Sequence, residues 1–320
     1  MRRLVLAAAL AALLAAGSAA AAVAPGQPPR GKVLLGAVTP DIDGFDRRTG
    51  HRHALRLFFG DFRRDVPELL ARQHAAGRIP ILTLSSGHSP AAIARGAEDA
   101  RLLGIARAAN AASGPVWIRP LAEMNGHWNP WSAFDRSGRP RGATHSTREF
   151  VRAFRRIAII SRGGPIEARL RAAGLPPLRA DGADVPAGGN VAIVWNPQGE
   201  GSPNVRGNAP RDYWPGPGYV DYVANDLYEI RGRAHWVAMD RLYREFPGKP
   251  FLIAEWAPWG YDAPAFVRRM FEWVARNPRT VGLVYFDRGW SGGVGTFELA
   301  RKPQSLAAYR AAATHARHAR

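Results

Sequence analysis

Short apolar runs recur along this chain, and each is followed by an amphipathic or loop segment. The runs are Val33–Val38, Leu55–Phe59, Ile79–Leu84, Val116–Pro120, Val191–Trp195, Tyr219–Asn225, Phe251–Glu255 and Val281–Phe286. Apolar runs that alternate with helical segments are typical of parallel strands buried on both faces. This number of strand–helix units in about 290 residues is what a (β/α)8 barrel requires. The sequence therefore predicts an α/β fold of the TIM-barrel class.

A doubly wound open sheet is the main alternative. Such a fold commonly places a glycine-rich phosphate-binding turn after its first strand. Here the first run continues as Gly36-Ala-Val-Thr-Pro40. This segment cannot present a row of free backbone amides to a phosphate, so the barrel is favoured.

The first residues have the pattern of an export signal. Two arginines after Met1 precede an apolar Leu/Ala run over 4–16, and small residues suited to a signal peptidase follow. The run is too short to span a bilayer comfortably. We expect residues 1–22 to be a cleaved secretory signal, 23–31 a linker and 32–316 the barrel, so the protein is expected to be secreted. An uncleaved anchor is the alternative.

Composition removes several classes of function. The chain contains no cysteine, which excludes disulfides, thiolate metal sites and thiol nucleophiles. The formal net charge is +18, but the basic residues form no sustained run and no alternation with aromatic residues, so nucleic-acid binding is not expected. Attraction to an anionic cell wall is compatible with this charge. We expect a monomer.

Two of the predicted strands end in a glutamate flanked by tryptophans. The fourth run leads into RPLAEMNGHWNPW over 119–131, and the seventh reads FLIAEW over 251–256. In a barrel, active-site residues lie at the C-terminal ends of the strands. Glu123 and Glu255 are therefore expected to face one cavity. A pair of carboxyl groups in such a cavity is the arrangement that glycoside hydrolysis requires.

Side-chain alternation along a strand makes the prediction more specific. It places Arg119 on the same face as Glu123, and Phe251 and Ile253 on the same face as Glu255. Arg119 is expected to be a buried counter-charge for the two carboxylates.

These segments resemble glycoside hydrolase family 26, whose members are mostly endo-β-mannanases with some other β-glycanases on a (β/α)8 barrel. The segment over 119–131 resembles the acid/base motif of the family. Further similar segments follow in the family's order, namely VWNPQ at 194–198, YWPGPGYVDYVANDLY at 213–228, LIAEW at 252–256 and VYFDRGW at 284–290. The resemblance covers nearly the whole chain from about Gly36.

The resemblance implies a role for several side chains. Glu123 corresponds to the general acid/base, Glu255 to the nucleophile, Tyr228 to the tyrosine that hydrogen-bonds the nucleophile, and Trp128 to a sugar-stacking tryptophan. No cofactor is implied. One position departs from the family, because Ala122 stands where a histidine usually precedes the acid/base.

Further candidates for substrate contact come from their positions after strand ends. Tryptophan and tyrosine present flat faces that suit pyranose rings. The candidates are Trp195, Trp256, Trp259, Trp290, Asn125, His127 and His88, with Asn196 and Asp287 as candidate hydroxyl contacts. A role as a loop residue or loop cap is the alternative for each of the histidines, for the two asparagines and for Asp287.

Together these features predict a secreted retaining endo-β-glycosidase that hydrolyses a β-1,4-linked polysaccharide, with β-mannan or a related hemicellulose as the leading substrate. The alternative is a catalytically weak carbohydrate-binding barrel for an anionic cell-surface polysaccharide. Motifs of serine hydrolases, zinc proteases and phosphate-binding loops are absent from the sequence.

Overall fold

Eight parallel strands close into a barrel in the computed structural model, which describes residues 23–182, 184–289, 295–314 and 318–319. The strands are β1 (Val33–Val38), β2 (Leu55–Gly60), β3 (Ile79–Leu84), β4 (Val116–Pro120), β5 (Val191–Trp195), β6 (Tyr222–Ile230), β7 (Phe251–Trp259) and β8 (Thr280–Phe286). Each strand pairs in parallel with the next, and β1 pairs with both β8 and β2. The predicted (β/α)8 class is confirmed.

An α-helix follows each barrel strand except β5, which is connected to β6 through two short 3-10 helices. The α-helices are α1 (Ile42–Thr49), α2 (Val66–Ala75), α3 (Pro90–Ala94), α4 (Asp99–Asn110), α5 (Thr147–Arg162), α6 (Ile166–Ala172), α7 (Trp236–Glu245), α8 (Pro264–Arg276) and α9 (Pro303–Ala313). A two-residue strand, β9 (His318–Ala319), pairs with β1. Within the described ranges, no helix is long and apolar enough to cross a membrane.

Two apolar layers result from the alternation of side chains along the strands. One layer fills the barrel interior and includes Leu55, Ile81, Trp117, Val194 and Leu252. The other, larger layer lies between the strands and the helices. A barrel of this size is filled by side chains and has no pore, so a ligand can enter only at one of its ends.

The sixth strand differs from its prediction. It begins at Tyr222 rather than Tyr219 because residues Pro217–Tyr219 form a 3-10 turn after Gly216, whose φ is 103°. It then continues to Ile230, so that the segment carrying Tyr228 lies within the strand.

The seventh strand contains an irregularity that changes which residues face inward. Asn225 pairs with Ile253 but Asp226 pairs with Glu255, so Ala254 is an extra residue in β7. Leu252 and Ala254 pack in the barrel interior, whereas Phe251 and Ile253 pack against the helices. The prediction that Phe251, Ile253 and Glu255 share one face was therefore wrong. The bulge turns Glu255 inward where strict alternation would have turned it outward.

The N-terminal end of the barrel is closed by the segment predicted as a linker. The Pro25 carbonyl accepts hydrogen bonds from Trp117 Nε1 at 2.8 Å and from the Tyr222 hydroxyl at 3.0 Å. The φ of Gly26 is +73°, and a Cβ there would lie 2.9 Å from Trp117 Nε1, so only glycine fits. This contact leaves the opposite end of the barrel as the open one.

Candidate active site

A cavity of about 780 Å³ opens at the C-terminal ends of the strands. Both glutamates selected from the sequence line it. The cavity is also lined by Arg119, Ala122, Trp128, Trp131, Gln198, Glu200, Asp226, Tyr228, His235 and Trp259. The position is the one at which barrel enzymes carry their active sites.

Glu123 is presented by a sharply turned backbone. Strand β4 ends at Pro120, and both Leu121 and Glu123 have positive φ values, of 48° and 53°. Such values are unfavourable for residues other than glycine and occur preferentially at functional sites. The Glu123 N–H donates to the Asn196 carbonyl at 2.7 Å. The end of β5 thus stabilises the turn that directs Glu123 into the cavity.

The Glu123 carboxyl group accepts two hydrogen bonds. Trp128 Nε1 donates to Oε2 at 2.7 Å, and Gln198 Nε2 donates to Oε1. Burial raises the pKa of Glu123, and the negative charge of Glu255 raises it further, while Arg119 and the Trp128 hydrogen bond oppose the increase. A carboxyl group with a raised pKa is suited to donate a proton.

Glu255 has a different set of partners. Its Oε1 accepts from Arg119 Nη1 at 2.6 Å, and its Oε2 accepts from the Tyr228 hydroxyl at 2.6 Å. The guanidinium and the phenol both stabilise a negative charge on this carboxylate. The tyrosine contact implied by the family resemblance is present.

Arg119 connects five neighbouring strands, because its Nη1 also donates to Thr83 Oγ1 on β3 at 3.2 Å. It is fully buried, and besides Glu255 it donates to Asp226 Oδ2 at 2.5 Å and to Asn196 Oδ1 at 3.0 Å. Burial opposes its charge, but the nearby carboxylates Asp226 and Glu255 raise its pKa above the ordinary value. Arg119 is therefore a buried counter-charge, but its ion pairs are with Glu255 and Asp226, whereas the prediction named Glu123 and Glu255.

Asp226 was missed by the sequence reasoning. It is fully buried on β6, and its Oδ2 accepts from both Arg119 and Asn196. Burial and the charges of Glu255 and Glu123 raise its pKa well above the ordinary value, although Arg119 opposes this. Its position two residues before Tyr228 places both side chains on one face of the strand. That spacing was a usable signal.

Three tryptophans line the cavity. Trp128 has half of its surface exposed, and Trp259 lies within 6.1 Å of the Tyr228 ring between centroids. Trp131 is almost fully buried and donates from Nε1 to the Ala122 carbonyl at 3.0 Å, which fixes the loop after β4. Trp128 therefore offers the largest aromatic surface to a ligand.

Two other tryptophans do not reach the cavity, which corrects their prediction as substrate contacts. Trp195 is completely buried against Trp214 and Phe246. Trp256 is completely buried against Tyr285 and Tyr309. Both point away from the barrel axis, because each occupies the outward-facing position of its strand.

The polar loop residues predicted as substrate contacts do not line the cavity. Asn125 is buried, and His127 contacts the Ser202 carbonyl through Nδ1 at 3.2 Å and packs edge-on against Trp128. His88 is exposed and does not line the cavity.

Asp287 is buried and accepts from the Leu299 N–H at 2.7 Å. Trp290 lies outside the described residues.

The site consists of carboxylates, one guanidinium, amides and aromatic rings. In the described part of the chain, no group of three or more acidic or histidine side chains could hold a metal ion. From its own side chains the site offers a carboxyl group with a raised pKa at Glu123 and a hydrogen-bonded carboxylate at Glu255.

An endoglucanase is similar in sequence to part of this chain. No family model matches the chain. Among curated proteins it is 26% identical over 239 residues to endoglucanase H of Acetivibrio thermocellus, which covers 69% of this chain and 22% of that protein. The chain thus spans about a fifth of the length of the curated relative that it matches.

Solved structures of glycoside hydrolase family 26 share the fold. A family 26 protein from Muricauda superposes with a TM-score of 0.60 at 16% identity, covering 90% of this chain and 91% of that one. A family 26 β-mannanase from Bacteroides ovatus gives a TM-score of 0.60 at 14% identity, covering 91% and 90%. The chain resembles family 26 in its fold along nearly its whole length, as its motifs predict.

Proposed function

We propose that this protein is a glycoside hydrolase that cleaves O-glycosidic bonds of a β-linked polysaccharide with retention of configuration. The observation that carries the proposal is the placement of Glu123 and Glu255 in one cavity with opposite environments. Burial and a neighbouring charge favour the protonated form of Glu123. Arg119 and Tyr228 hydrogen-bond the carboxylate of Glu255. The curated endoglucanase relative and the family 26 fold support the same class of reaction.

The first step forms a glycosyl-enzyme. Glu255 attacks the anomeric carbon, the glycosidic bond breaks with its electron pair moving to the leaving oxygen, and Glu123 gives its proton to that oxygen. Arg119 and Tyr228 hold the attacking carboxylate in place.

The second step releases the sugar. Glu123, now ionised, takes a proton from water while the water oxygen bonds to the anomeric carbon. The bond to Glu255 breaks, and its electron pair returns to the carboxylate. Both residues regain their starting protonation states, and no cofactor takes part.

The charges in the cavity favour a neutral glycan over an anionic one. Four of the lining residues are acidic, and among the described residues that line the cavity Arg119 is the only lysine or arginine. Arg119 is fully buried and already paired with Asp226 and Glu255. Even with Glu123 and Asp226 protonated, the carboxylates of Glu200 and Glu255 would repel an anionic polymer, which argues against the alternative of a binder for anionic cell-surface polysaccharide. The net positive charge of the chain lies elsewhere.

We further propose an endo-acting enzyme on β-1,4-mannan or a related hemicellulose, secreted through the signal predicted over residues 1–22. The similar structures include a family 26 β-mannanase, and the curated relative is an endoglucanase. Ala122 lines the cavity where the family usually has a histidine, so glucan and xylan belong among the substrates tested.

The test is release of reducing ends from soluble β-1,4-mannan, mixed-linkage glucan, xylan and an anionic glycan. We expect hydrolysis of at least one neutral glycan and none of the anionic one. The Glu123→Gln and Glu255→Gln double variant is the matched control, because it keeps the size of both side chains. Absence of hydrolysis of every neutral glycan by the wild-type protein would overturn the proposal.

A further inference from the structure

Both oxygens of the Glu123 carboxyl group are occupied by hydrogen-bond donors. Trp128 Nε1 donates to one and Gln198 Nε2 to the other. An indole N–H can only donate. Two donors suit the ionised carboxylate that the second step needs, whereas the protonated carboxyl of the first step also carries an O–H that needs an acceptor or the leaving oxygen.

The Asp226 carboxyl group is also hydrogen-bonded to Glu123, but two carboxyl groups can only share a proton, whereas the neutral amide of Gln198 can serve both protonation states of Glu123. Its amide carries an acceptor oxygen and a donor nitrogen on the same carbon, and rotation about the last side-chain bond exchanges them. With nitrogen toward Glu123 it stabilises the carboxylate. With oxygen toward Glu123 it accepts from the carboxylic acid.

The backbone of Gln198 is held in place by hydrogen bonds with the Asn125 side chain. Its N–H donates to Asn125 Oδ1 at 2.8 Å, and its carbonyl accepts from Asn125 Nδ2 at 2.9 Å. Asn125 is fully buried two residues after Glu123. The two contacts therefore fix the distance between the loop after β5 and the loop that carries Glu123.

We propose that Gln198 is a positioning residue for the acid/base Glu123, donating a hydrogen bond to its ionised form and accepting one from its protonated form. This inference rests on the proposed function. Gln198 exchanges no proton with substrate or water; it keeps the carboxyl group directed at the glycosidic oxygen in the first step and at water in the second.

Charged groups around Glu123 come from several elements and stay in place when Gln198 is changed. Arg119 lies on β4, Asp226 and Tyr228 on β6, and Glu255 on β7, while Glu200 and His235 line the same cavity beside Gln198. Since Gln198 is neutral, replacing it by another neutral residue alters the hydrogen bonding of Glu123 without removing a charge.

The test compares Gln198→Met, which keeps the length but cannot hydrogen-bond in this way, with Gln304→Met, the same change at an exposed position on α9. We expect the basic limb of the kcat/KM profile on the preferred glycan to move up by about one pH unit in Gln198→Met only. Loss of a hydrogen bond to a charged group corresponds to roughly a tenfold change in the ionisation constant. An unchanged limb in an active, folded variant would overturn the proposal.

The two halves of the proposal have separate readouts. Deglycosylation of an aryl glycoside reports the base, and cleavage of the glycan at low pH reports the acid. We expect both to slow about tenfold in Gln198→Met. A loss confined to deglycosylation would overturn the acceptor role and keep the donor role.

A further measurement does not depend on turnover. Titration of ¹³C-labelled glutamate carboxyl groups by NMR should give a higher pKa for Glu123 in Gln198→Met than in the wild type. If the wild type hydrolyses no glycan but this pKa moves, the contact is right and the proposed function is wrong. If the wild type is active and this pKa does not move, the inference about Gln198 is wrong.

Discussion

In the described part of the chain, two arginines are completely buried. One pairs with a single carboxylate and the other with two. Arg156 on α5 binds one partner twice, with Nε 2.7 Å from Asp99 Oδ1 and Nη2 2.6 Å from Asp99 Oδ2. Arg119 on β4 divides its hydrogen bonds among Glu255, Asp226 and Asn196. The first pair lies in the helical layer, and the second arrangement lies beneath the cavity.

The two arginines are equally buried, but they differ in whether the carboxylate they bind remains accessible to a ligand. Both oxygens of Asp99 are used by Arg156, and Oδ2 also accepts from the Arg179 N–H at 2.8 Å, so the pair is closed to any ligand. Glu255 gives only one oxygen to Arg119 and still lines the cavity. We infer that Arg156 fixes the packing of α4 against α5, while Arg119 stabilises charges that must remain available.

The largest effect is expected at Glu255. Glu255→Ala removes the nucleophile and should lower kcat on every substrate by at least about 10⁴-fold, since no other carboxylate is placed to replace it. Steady-state rates on glycan and aryl glycoside measure this. Asp99→Ala is the structural counterpart, and its folded fraction should keep kcat within a few-fold of the wild type. Turnover by Glu255→Ala within a few-fold of the wild type would show that Glu255 is not the nucleophile.

Glu123→Ala should have a more selective effect. Cleavage of the natural glycan should fall by about 10²–10⁴-fold because the leaving oxygen needs a proton. An aryl glycoside with a good leaving group needs none, so its first step should survive and glycosyl-enzyme should accumulate. Added azide should then restore turnover by attacking without a base. Equal losses on both substrates, with no rescue by azide, would contradict the acid/base role.

The two arginines should separate stability from activity. Arg156→Met leaves Asp99 buried without its counter-charge and should lower the free energy of unfolding by about 3–5 kcal/mol, with kcat of the folded fraction unchanged. Arg119→Met should abolish most of the activity even in molecules that remain folded. Urea unfolding, read together with kinetics, compares them. Loss of kcat in both variants to the same extent would erase the distinction.

Arg119→Met should also make the free energy of unfolding depend more strongly on pH than it does in the wild type. Glu123 and Asp226 have raised pKa values, and Arg119 opposes that increase in both. Without it these pKa values rise further, so the native state binds more protons than the unfolded state above pH 4, and stability falls as pH rises. The loss in unfolding free energy should therefore be larger at pH 8 than at pH 5. An equal loss at both would contradict the shared electrostatics of the site.

The smallest effect is expected at a half-exposed carboxylate. Asp262 accepts from Ser305 Oγ and from the N–H groups of Gln304 and Ser305 at the start of α9. Burial acts to raise its pKa, but these hydrogen bonds outweigh burial and lower it. Asp262→Ala should cost about 1 kcal/mol at pH 7. The difference should vanish as pH falls below the lowered pKa, which acid unfolding can measure.

The sequence predicts the elements of this fold better than the direction of individual side chains. The strand positions follow from the apolar runs, and the two glutamates follow from where those runs end, although β7 itself continues past Glu255 to Trp259. Glu255 faces the cavity only because Ala254 is an extra residue in β7, and alternation alone cannot locate a bulge. Trp195 and Trp256 are predicted as ligand contacts because they stand at or just after the ends of apolar runs. In the structure each occupies an outward-facing position of its strand.

The hydrogen-bond partners within the site were the hardest to predict. Gln198 lies in the loop after β5 and Asp226 lies on β6, whereas Glu123 follows β4, so their contacts depend on how these elements are placed relative to one another. The ANDLY segment over 224–228 contained the usable signal for Asp226, since it lies two residues before Tyr228.

The stereochemistry of the first product tests the central claim most directly. Proton NMR of the anomeric signals, recorded in the first minutes of hydrolysis of a β-1,4-linked oligosaccharide by the wild-type protein, distinguishes the two possible outcomes. Double displacement through Glu255 predicts that the β-anomer appears first and that the α-anomer follows only by mutarotation. Initial release of the α-anomer would mean direct attack by water and would contradict the assignment of Glu255 as the nucleophile.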